Sequence, residues 1–439
     1  MEFKEYRLED LVEKIFSGGT PSTKKKEYWN GNVNWLSSGE TSSDFIHKTN
    51  AKITKLGIDN SSTKLARKND VIMASAGQGK TRAQTSYLMI DTFINQSLIA
   101  IRTNKRLLDE KYLYYNLKSR YYELRSISDS ASTRGSISTK MLKELNILVP
   151  KIDEQKKISN ILFSLDKKIE VNNKIIANLE EQALAIFKSW FVDFEPFQDG
   201  KFVESELGMI PEGWEVKKLK EIFEFKKGRK PKVLHEKIEE KYIPYLVKGV
   251  IDGSEIPKFT NEEKIVKIDG LDTFMLMDGA NSGNIYYGFK GALGSTFSLL
   301  ETRDKKYDDI LYWFLKINEP MIKNQNTGSA IPHANKDFIY SMNIAVPDNC
   351  KNDKISKVLR DFRRKIIYNN EENKILSEIR DALLPKLMSG EIDVSNIKIK
   401  GEEVKNEWNL FRRWFWKNLY KIYWGLRLPL PPSSRNCKR

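Results

Sequence analysis

A chain of 439 residues, 40% hydrophobic and 30% charged, has the length for two or three globular domains and the composition of a soluble protein. Its two cysteines, Cys350 and Cys437, exclude a disulfide framework and a cysteine zinc site, and the lack of any run of about 18 apolar residues excludes a transmembrane helix. The formal net charge of +15 asks for an anionic partner such as nucleic acid.

The charge is uneven. Residues 1–149 carry 24 basic and 16 acidic side chains, residues 206–347 carry 21 of each, and residues 396–439 carry 11 and 3. A domain in the balanced third quarter must therefore meet DNA through a local patch. The N-terminus mixes charged and apolar residues from the start and lacks the apolar core of a signal peptide, so a cytoplasmic protein is expected.

Taken in chain order, residues 1–150 read as an α+β domain. A basic turn, Gly18-Gly-Thr-Pro-Ser-Thr-Lys-Lys-Lys26, follows the opening segment. Short β-like runs at 70–75 and 98–102 and a helical pattern at 109–125 come next. A polar loop at 130–138 then leads to a strand ending at Pro150. Between two of these elements lies Ala74-Ser-Ala-Gly-Gln-Gly-Lys-Thr81, which fits a relaxed phosphate-loop pattern. Ala74 stands where the first glycine belongs, and the residues after Thr81 do not read as the helix a phosphate needs. A turn offering Gln78, Lys80 and Arg82 to nucleic acid and a purely structural hairpin both remain open.

Residues 151–195 read as a helical spacer, with Asp153 as the expected N-cap. Ile158, Leu162, Leu165, Ile169, Ile176, Leu179, Ala183 and Ile186 recur in steps of four and three, and Asn172 takes the remaining seam slot. A turn-rich linker, 196–215, follows. A second α+β domain, 216–347, has β-like runs at 274–277 and 297–300, and a second helical spacer covers 348–392. Residues 393–439 form a divergent, basic and aromatic tail, with disorder expected toward its end.

The second half repeats the first. A shift of 197 carries Pro150 onto Pro347, Ile158 onto Ile355, Leu162 onto Leu359, Asn172 onto Asn369 and Leu179 onto Leu376, with no gap across the helix. The duplication predicts two tandem globular domains, each followed by a long helix. The helices are expected to pack as an antiparallel coiled coil with pseudo-twofold symmetry, and Asn172 and Asn369 to fix its register near the middle. Unrelated packing of two core helices is the alternative.

The candidate DNA contacts gather in polar and basic loops. In the first domain they are Thr20, Lys24, Lys25, Lys26, Gln78, Lys80, Arg82, Arg134 and Ser136. In the second they are Lys226, Lys227, Arg229, Lys230, Asn281, Asn284, His333 and Asn335. Lysine and arginine neutralise phosphates, whereas Gln78, Arg82, Arg134, Asn281, Asn284 and Asn335 suit base edges. His47, His235 and His333 stand in no metal-ligand pattern, and no catalytic set stands out, so neither metal nor cofactor is expected.

In this order the motifs resemble the specificity subunit of Type I restriction–modification systems, over about residues 3–395. They are Gly19-Thr-Pro-Ser22, Tyr28-Trp29, Val33-Asn-Trp35, Asp70-Val-Ile72, Glu154-Gln155, Ile210-Pro-Glu-Gly-Trp214 and Leu384-Pro-Lys-Leu-Met-Ser-Gly-Glu-Ile392. The resemblance implies two target-recognition domains, each reading half of a split duplex DNA sequence, with the helices as a ruler. It also implies partner methyltransferase and restriction subunits that carry the chemistry, docked on the helical regions, and no membrane. An ATP-binding enzyme built on the Lys80 loop and a coiled-coil scaffold without DNA contact are the competing classes.

Overall fold

The computed structural model describes residues 1–77, 79–131, 135–237, 239–328, 331–347 and 352–397. The described residues form two compact units, 1–164 with 380–397, and Leu165–Ile379. These cut across the expected linear division, because each unit takes part of both long helices.

In the first unit the entry strand Lys4–Arg7 pairs antiparallel with the exit strand Asn146–Val149, so the domain closes on itself. A one-turn helix, Leu8–Leu11, buries both leucines and leads into a five-stranded sheet. Its strand order is Val12–Ser17, Leu98–Thr103, Val71–Ala74, Thr85–Leu88, Phe45–Ile46. The central strands are apolar runs covered on both faces, as their burial shows. A second sheet orders Ala51–Ile53, Trp29–Leu36, Thr92–Ile94 and Lys64–Ala66. The helical pattern at 109–125 is broken at Arg120 into Glu110–Ser119 and Tyr121–Ala131. Arg120 leaves the helical conformation, and its guanidinium donates to the Asn146 carbonyl at 2.7 Å and to Glu123. Asp109 caps the first of these helices by accepting from the Tyr112 amide at 2.9 Å.

The second unit repeats this plan. Trp214–Lys218 pairs antiparallel with Asn343–Pro347, and the turn helix Leu219–Ile222 again buries its two apolar residues. One sheet orders Phe223–Lys227, Phe297–Thr302, Phe274–Leu276 and Ile285–Tyr286. The other orders Phe259–Thr260, Ile243–Leu246, Gly291–Leu293 and Lys267–Ile268. Helix Asp308–Ile317 packs Trp313 at its centre, fully buried, and Glu319–Asn324 and Lys336–Ser341 follow.

The long helices span Ile152–Phe191 and Asn352–Met388. Asp153 lies inside the first turn of the first helix and not at its cap, so it supports that end through the helix dipole. In the second unit, Asn172 donates to Glu372 at 2.7 Å and to Asn373 at 2.9 Å, while Ala183 and Phe187 share a core with Ile355 and Leu359. The helices therefore run antiparallel there. The polar layer is centred on Asn172. Asn172 is fully buried against Glu372 and Asn373, Asn373 bonds Asn173, and Lys168 pairs with Glu372. Asn369, one turn earlier, returns its amide to the Lys365 carbonyl at 2.8 Å. Among the described residues the two equivalent asparagines are not hydrogen-bond partners, because the seam register sets Asn172 opposite Asn373.

The second long helix is bolted to the head of the second unit by a buried cation. Arg363 is 0% exposed. It pairs with Asp309 at 3.0 Å and lies between the rings of Tyr287 and Tyr312, 4.7 and 4.6 Å from their centroids. In the first unit, Ile158, Leu162, Leu384, Leu387, Met388 and Val394 join the domain core. The fold thus continues past residue 392, where the divergent tail was expected to begin. Val394 is fully buried, and Asp393 pairs with the Met1 ammonium at 2.9 Å. Residues 398–439, the rest of that tail, lie outside the described residues.

Candidate nucleic-acid interface

At one end of the first unit's larger sheet, four loops converge. Strand Val71–Ala74 leaves the sheet at Ser75, whose amide donates to the Ser97 carbonyl at 2.9 Å and whose carbonyl accepts from the Ile137 amide at 2.8 Å. Ala74 bonds Gln84 and Ala83, which closes the glycine loop between them. Gly19 donates to the Ile94 carbonyl, and Thr20 bonds Gln96 in the same turn. The basic turn, the glycine loop, the 95–97 turn and the 135–138 loop are thereby tied together.

Close approach dictates the glycines here. A Cβ on Gly18 would lie 1.9 Å from the Ile94 carbonyl oxygen. The glycine loop is braced from behind by helix Tyr121–Ala131. The Tyr121 hydroxyl donates to the Lys80 carbonyl at 2.8 Å, and Arg125 donates to the Gly79 and Arg82 carbonyls. Arg125 and Tyr121 carry no motif and were not singled out in the sequence.

The second unit builds the same frame from different side chains. Met277 donates to Thr296 and accepts from Ala334, as Ser75 does with Ser97 and Ile137. Leu276 bonds Asn284 and Gly283, as Ala74 does with Gln84 and Ala83. Gly283 and Ala83 both have positive φ, 91° and 69°. Gly228 crosses between sheets where Gly18 does, and a Cβ there would lie 2.3 Å from the Gly294 carbonyl oxygen. Asn326 donates to the Ser282 carbonyl and hydroxyl at 3.0 and 2.8 Å, bracing the loop from the helix side. A polar depression of about 320 Å³ opens beside it, lined by Asn281, Ser282, Lys323 and Pro332.

The sequence candidates divide on this frame. Lys24, Lys26, Lys80, Ser136, Lys227, Lys230 and Asn281 are exposed. Lys25 is exposed too, and its bond to the Tyr28 hydroxyl at 3.0 Å holds its ammonium above the ordinary lysine range. Lys226 pairs with Glu301, and Arg229 with Glu262 at 2.7 Å, so part of their charge is spent within the fold. Gln78 and Arg134 lie outside the described residues.

Three expected base contacts are otherwise engaged. Arg82 is 7% exposed, with its guanidinium on the Gly135 carbonyl at 2.8 Å and on Asp129. It holds two loops together. Asn335 caps helix Lys336–Ser341 by accepting from the Phe338 amide at 3.0 Å, as Ser138 caps Thr139–Lys143 in the first unit. Asn284 donates to the Tyr286 hydroxyl at 3.1 Å. His333 sits at the loop end, exposed, with Nδ1 2.8 Å from Asp278 Oδ1. Tyr122, 83% exposed on the bracing helix, and Asp278 likewise carry no motif in the sequence.

The Lys80 loop does not have the form of a phosphate loop. It runs from strand Val71–Ala74 into strand Thr85–Leu88, whereas a phosphate loop needs a helix N-terminus facing the ligand. Among the described residues, no group of three or more His, Cys, Asp or Glu is placed to hold a metal ion, and no helix is long and apolar enough to cross a membrane.

Comparison with known proteins bears on this geometry. The model of the Type I restriction modification DNA specificity domain matches residues 1–181 and again 211–378. The chain is 30% identical over 416 residues to the MjaIX specificity subunit of a type I restriction enzyme from Methanocaldococcus jannaschii, covering 89% of this chain and 94% of the relative. It is 22% identical to the HindI specificity subunit of Haemophilus influenzae, across 89% of this chain and 100% of that one. Among solved structures, the S subunit of a Type-I restriction-modification system from M. genitalium superposes with a TM-score of 0.60 at 19% identity, covering 88% of this chain and 96% of that one.

Proposed function

Because the chain belongs to the Type I restriction modification DNA specificity family, we propose that each of its two units reads one half of a split duplex DNA target through the loop end described above. The duplicated frame carries this reading. Two copies keep the same glycine crossings, caps and hydrogen bonds while changing the side chains presented at the loops. Exposed lysines in the basic turns neutralise phosphates and set the orientation, and the polar loops address base edges.

In this reading the chain carries no chemistry of its own. Methyltransferase subunits dock on the helical regions, restriction subunits join through the complex, and the assembly works in the cytoplasm without a membrane. The antiparallel helices act as the ruler that sets the unread gap between half-sites, which suits half-sites about one DNA turn apart, roughly 34 Å.

The test is to purify the chain from its native cell, identify what accompanies it, and map the methylated sequence. A bipartite motif with an accompanying methyltransferase is expected. Exchanging residues 206–346 for the matching segment of another family member should then change one half of the motif. A change in both halves would refute the assignment of one unit to one half-site.

A further inference from the structure

We propose that Asp278, held by His333, reads a cytosine through its exocyclic N4 amino group in the half-site of the second unit; this rests on the DNA-reading function proposed above. Since Ser75 and Met277 occupy the same place in the frame, as do Ile137 and Ala334, the residues beside them correspond. Asp278 stands where the first unit has Ala76, and His333 stands where it has Ser136. The backbone is common to both units, and the chemistry at this pair is not. Such a position can alter what is read without altering the fold.

The surroundings make a carboxylate here hard to explain otherwise. The loop segments gathered at this end are 228–232, 278–284, 294–296 and 331–335, and Asp278 is the one acidic residue within them; Glu262, outside them, is already held by Arg229 and the Lys232 amide. A carboxylate facing phosphates is repelled by them. It is also tightly placed. The main chains of Asp278 and His333 form a bridge, His333 is bonded in both directions to Thr327, and Gly279 donates to the Pro332 carbonyl at 2.9 Å. With Nδ1–H of His333 donating to Oδ1 at 2.8 Å, the carboxylate has one oxygen anchored. Among the described residues, nothing else bonds its side chain.

A fixed carboxylate oxygen accepts and cannot donate. The major groove offers two exocyclic amino donors, cytosine N4 and adenine N6. Adenine sets its N7 acceptor beside N6, against which a carboxylate is repelled, whereas cytosine presents N4 without a neighbouring acceptor on its own edge. The chemistry therefore selects cytosine. His333 is the positioning residue, since it fixes which oxygen points outward.

The experiment maps the methylated motif of the full chain with its methyltransferase in a methylation-free host, for the wild type and for Asp278→Asn. Asparagine keeps an oxygen for His333 and presents an NH2 group where the free oxygen was. The variant should lose its preference for cytosine at one position of one half-site and shift toward a base with an acceptor there. The other half-site should stay unchanged. An unaltered motif, or a half-site with no cytosine on either strand, overturns the proposal. Absence of any bipartite motif in the wild type would instead overturn the function on which it rests.

Should the variant methylate nothing, the wild-type complex supplies the second measurement. Each cytosine of that half-site is replaced in turn by an analogue lacking the exocyclic amino group. One replacement should weaken binding roughly fivefold, the low end of a single base contact. Equal affinity for every analogue overturns the proposal.

Discussion

Replacing Arg363 by methionine tests how the second long helix is fastened to its head. The side chain is fully buried, and Asp309 beside it is 1% exposed, so water compensates neither charge. Removing the arginine leaves Asp309, among the described residues, with Arg360 at 2.8 Å as its one ion-pair partner, whose side chain is 35% exposed. It also removes the donors to the Leu271 carbonyl and the Thr273 hydroxyl, and the cation from between two rings. Breaking a buried pair from one side costs about 3–5 kcal/mol. Methionine keeps most of the volume, so little of that cost comes from a cavity. For a unit of this size, about 1 kcal/mol moves the midpoint by roughly 2–4 °C, giving a loss of about 6–20 °C. Calorimetry and Trp313 fluorescence would follow it, and the transition of the second unit should move far more than that of the first. The double variant Arg363→Met with Asp309→Leu removes both charges and should recover more than half of the loss. If the two single effects simply added, the account of a buried charge left unpaired would be wrong.

Three further outcomes follow from the same structure. Changing Lys24, Lys25 and Lys26 together to alanine should weaken binding to every duplex and reduce the slope of log K against log salt by roughly 0.9 for each phosphate lost, read by fluorescence anisotropy across a salt series. An unchanged slope would place these lysines away from the DNA. Gly18→Ala and Gly228→Ala should each destabilise their own unit by about 1–3 kcal/mol, because the new Cβ meets carbonyl oxygens that belong to a neighbouring turn; urea titrations showing no shift would mean the turns can yield. Inserting seven residues at the same heptad phase in both long helices should lengthen the unread gap in the methylated motif and leave both half-sites intact, whereas altered half-sites would contradict the ruler.

The long helices and the duplication were legible because both are local. Steps of three and four along 152–191 and 352–388 show in any window, and the 197-residue shift needs no knowledge of contacts. The sheets were legible only at their apolar central strands. Phe45–Ile46 is two residues long and exists because the distant strand Thr85–Leu88 completes its ladder, and Ile285–Tyr286 is an equally short arm of a hairpin with Phe274–Leu276. Asn172 and Asn369 were correctly read as buried, but the partner of each depends on interhelical register, which periodicity alone leaves free. At the loop end, composition picked out loops that the fold gathers in one place, but not which of their side chains the fold itself engages. Asn335 carries a cap signal, a polar residue just before a short helix, that could have been read. Arg82 gave no warning, since its burial comes from Gly135 and Asp129, about fifty residues away.

The contrast between Arg82 and Ser282 explains how one frame can serve two different readings. Both precede the positive-φ residue that closes the glycine loop, Ala83 in one unit and Gly283 in the other. In the first unit a buried guanidinium ties that position to Gly135 and Asp129; in the second, Asn326 reaches in from the helix side to the Ser282 carbonyl and hydroxyl. In both units the helix side reaches this position, Arg125 donating to the Arg82 carbonyl and Asn326 to the Ser282 carbonyl, but the side chains that make the brace differ. What is common to both copies is the main-chain bonding of Ser75 and Met277 and the glycine crossings at 18 and 228, which hold the loop whatever brace is used. A loop secured mainly through its backbone can exchange its side chains at small cost to stability. The differing pairs, Ala76 with Ser136 and Asp278 with His333, sit on that backbone and outside the apolar cores. Charge follows the same logic. The first 149 residues carry an excess of eight basic groups and the second domain carries none, so the first unit can attract phosphate with its overall field, while the second must rely on local basic turns and on discrimination at the bases.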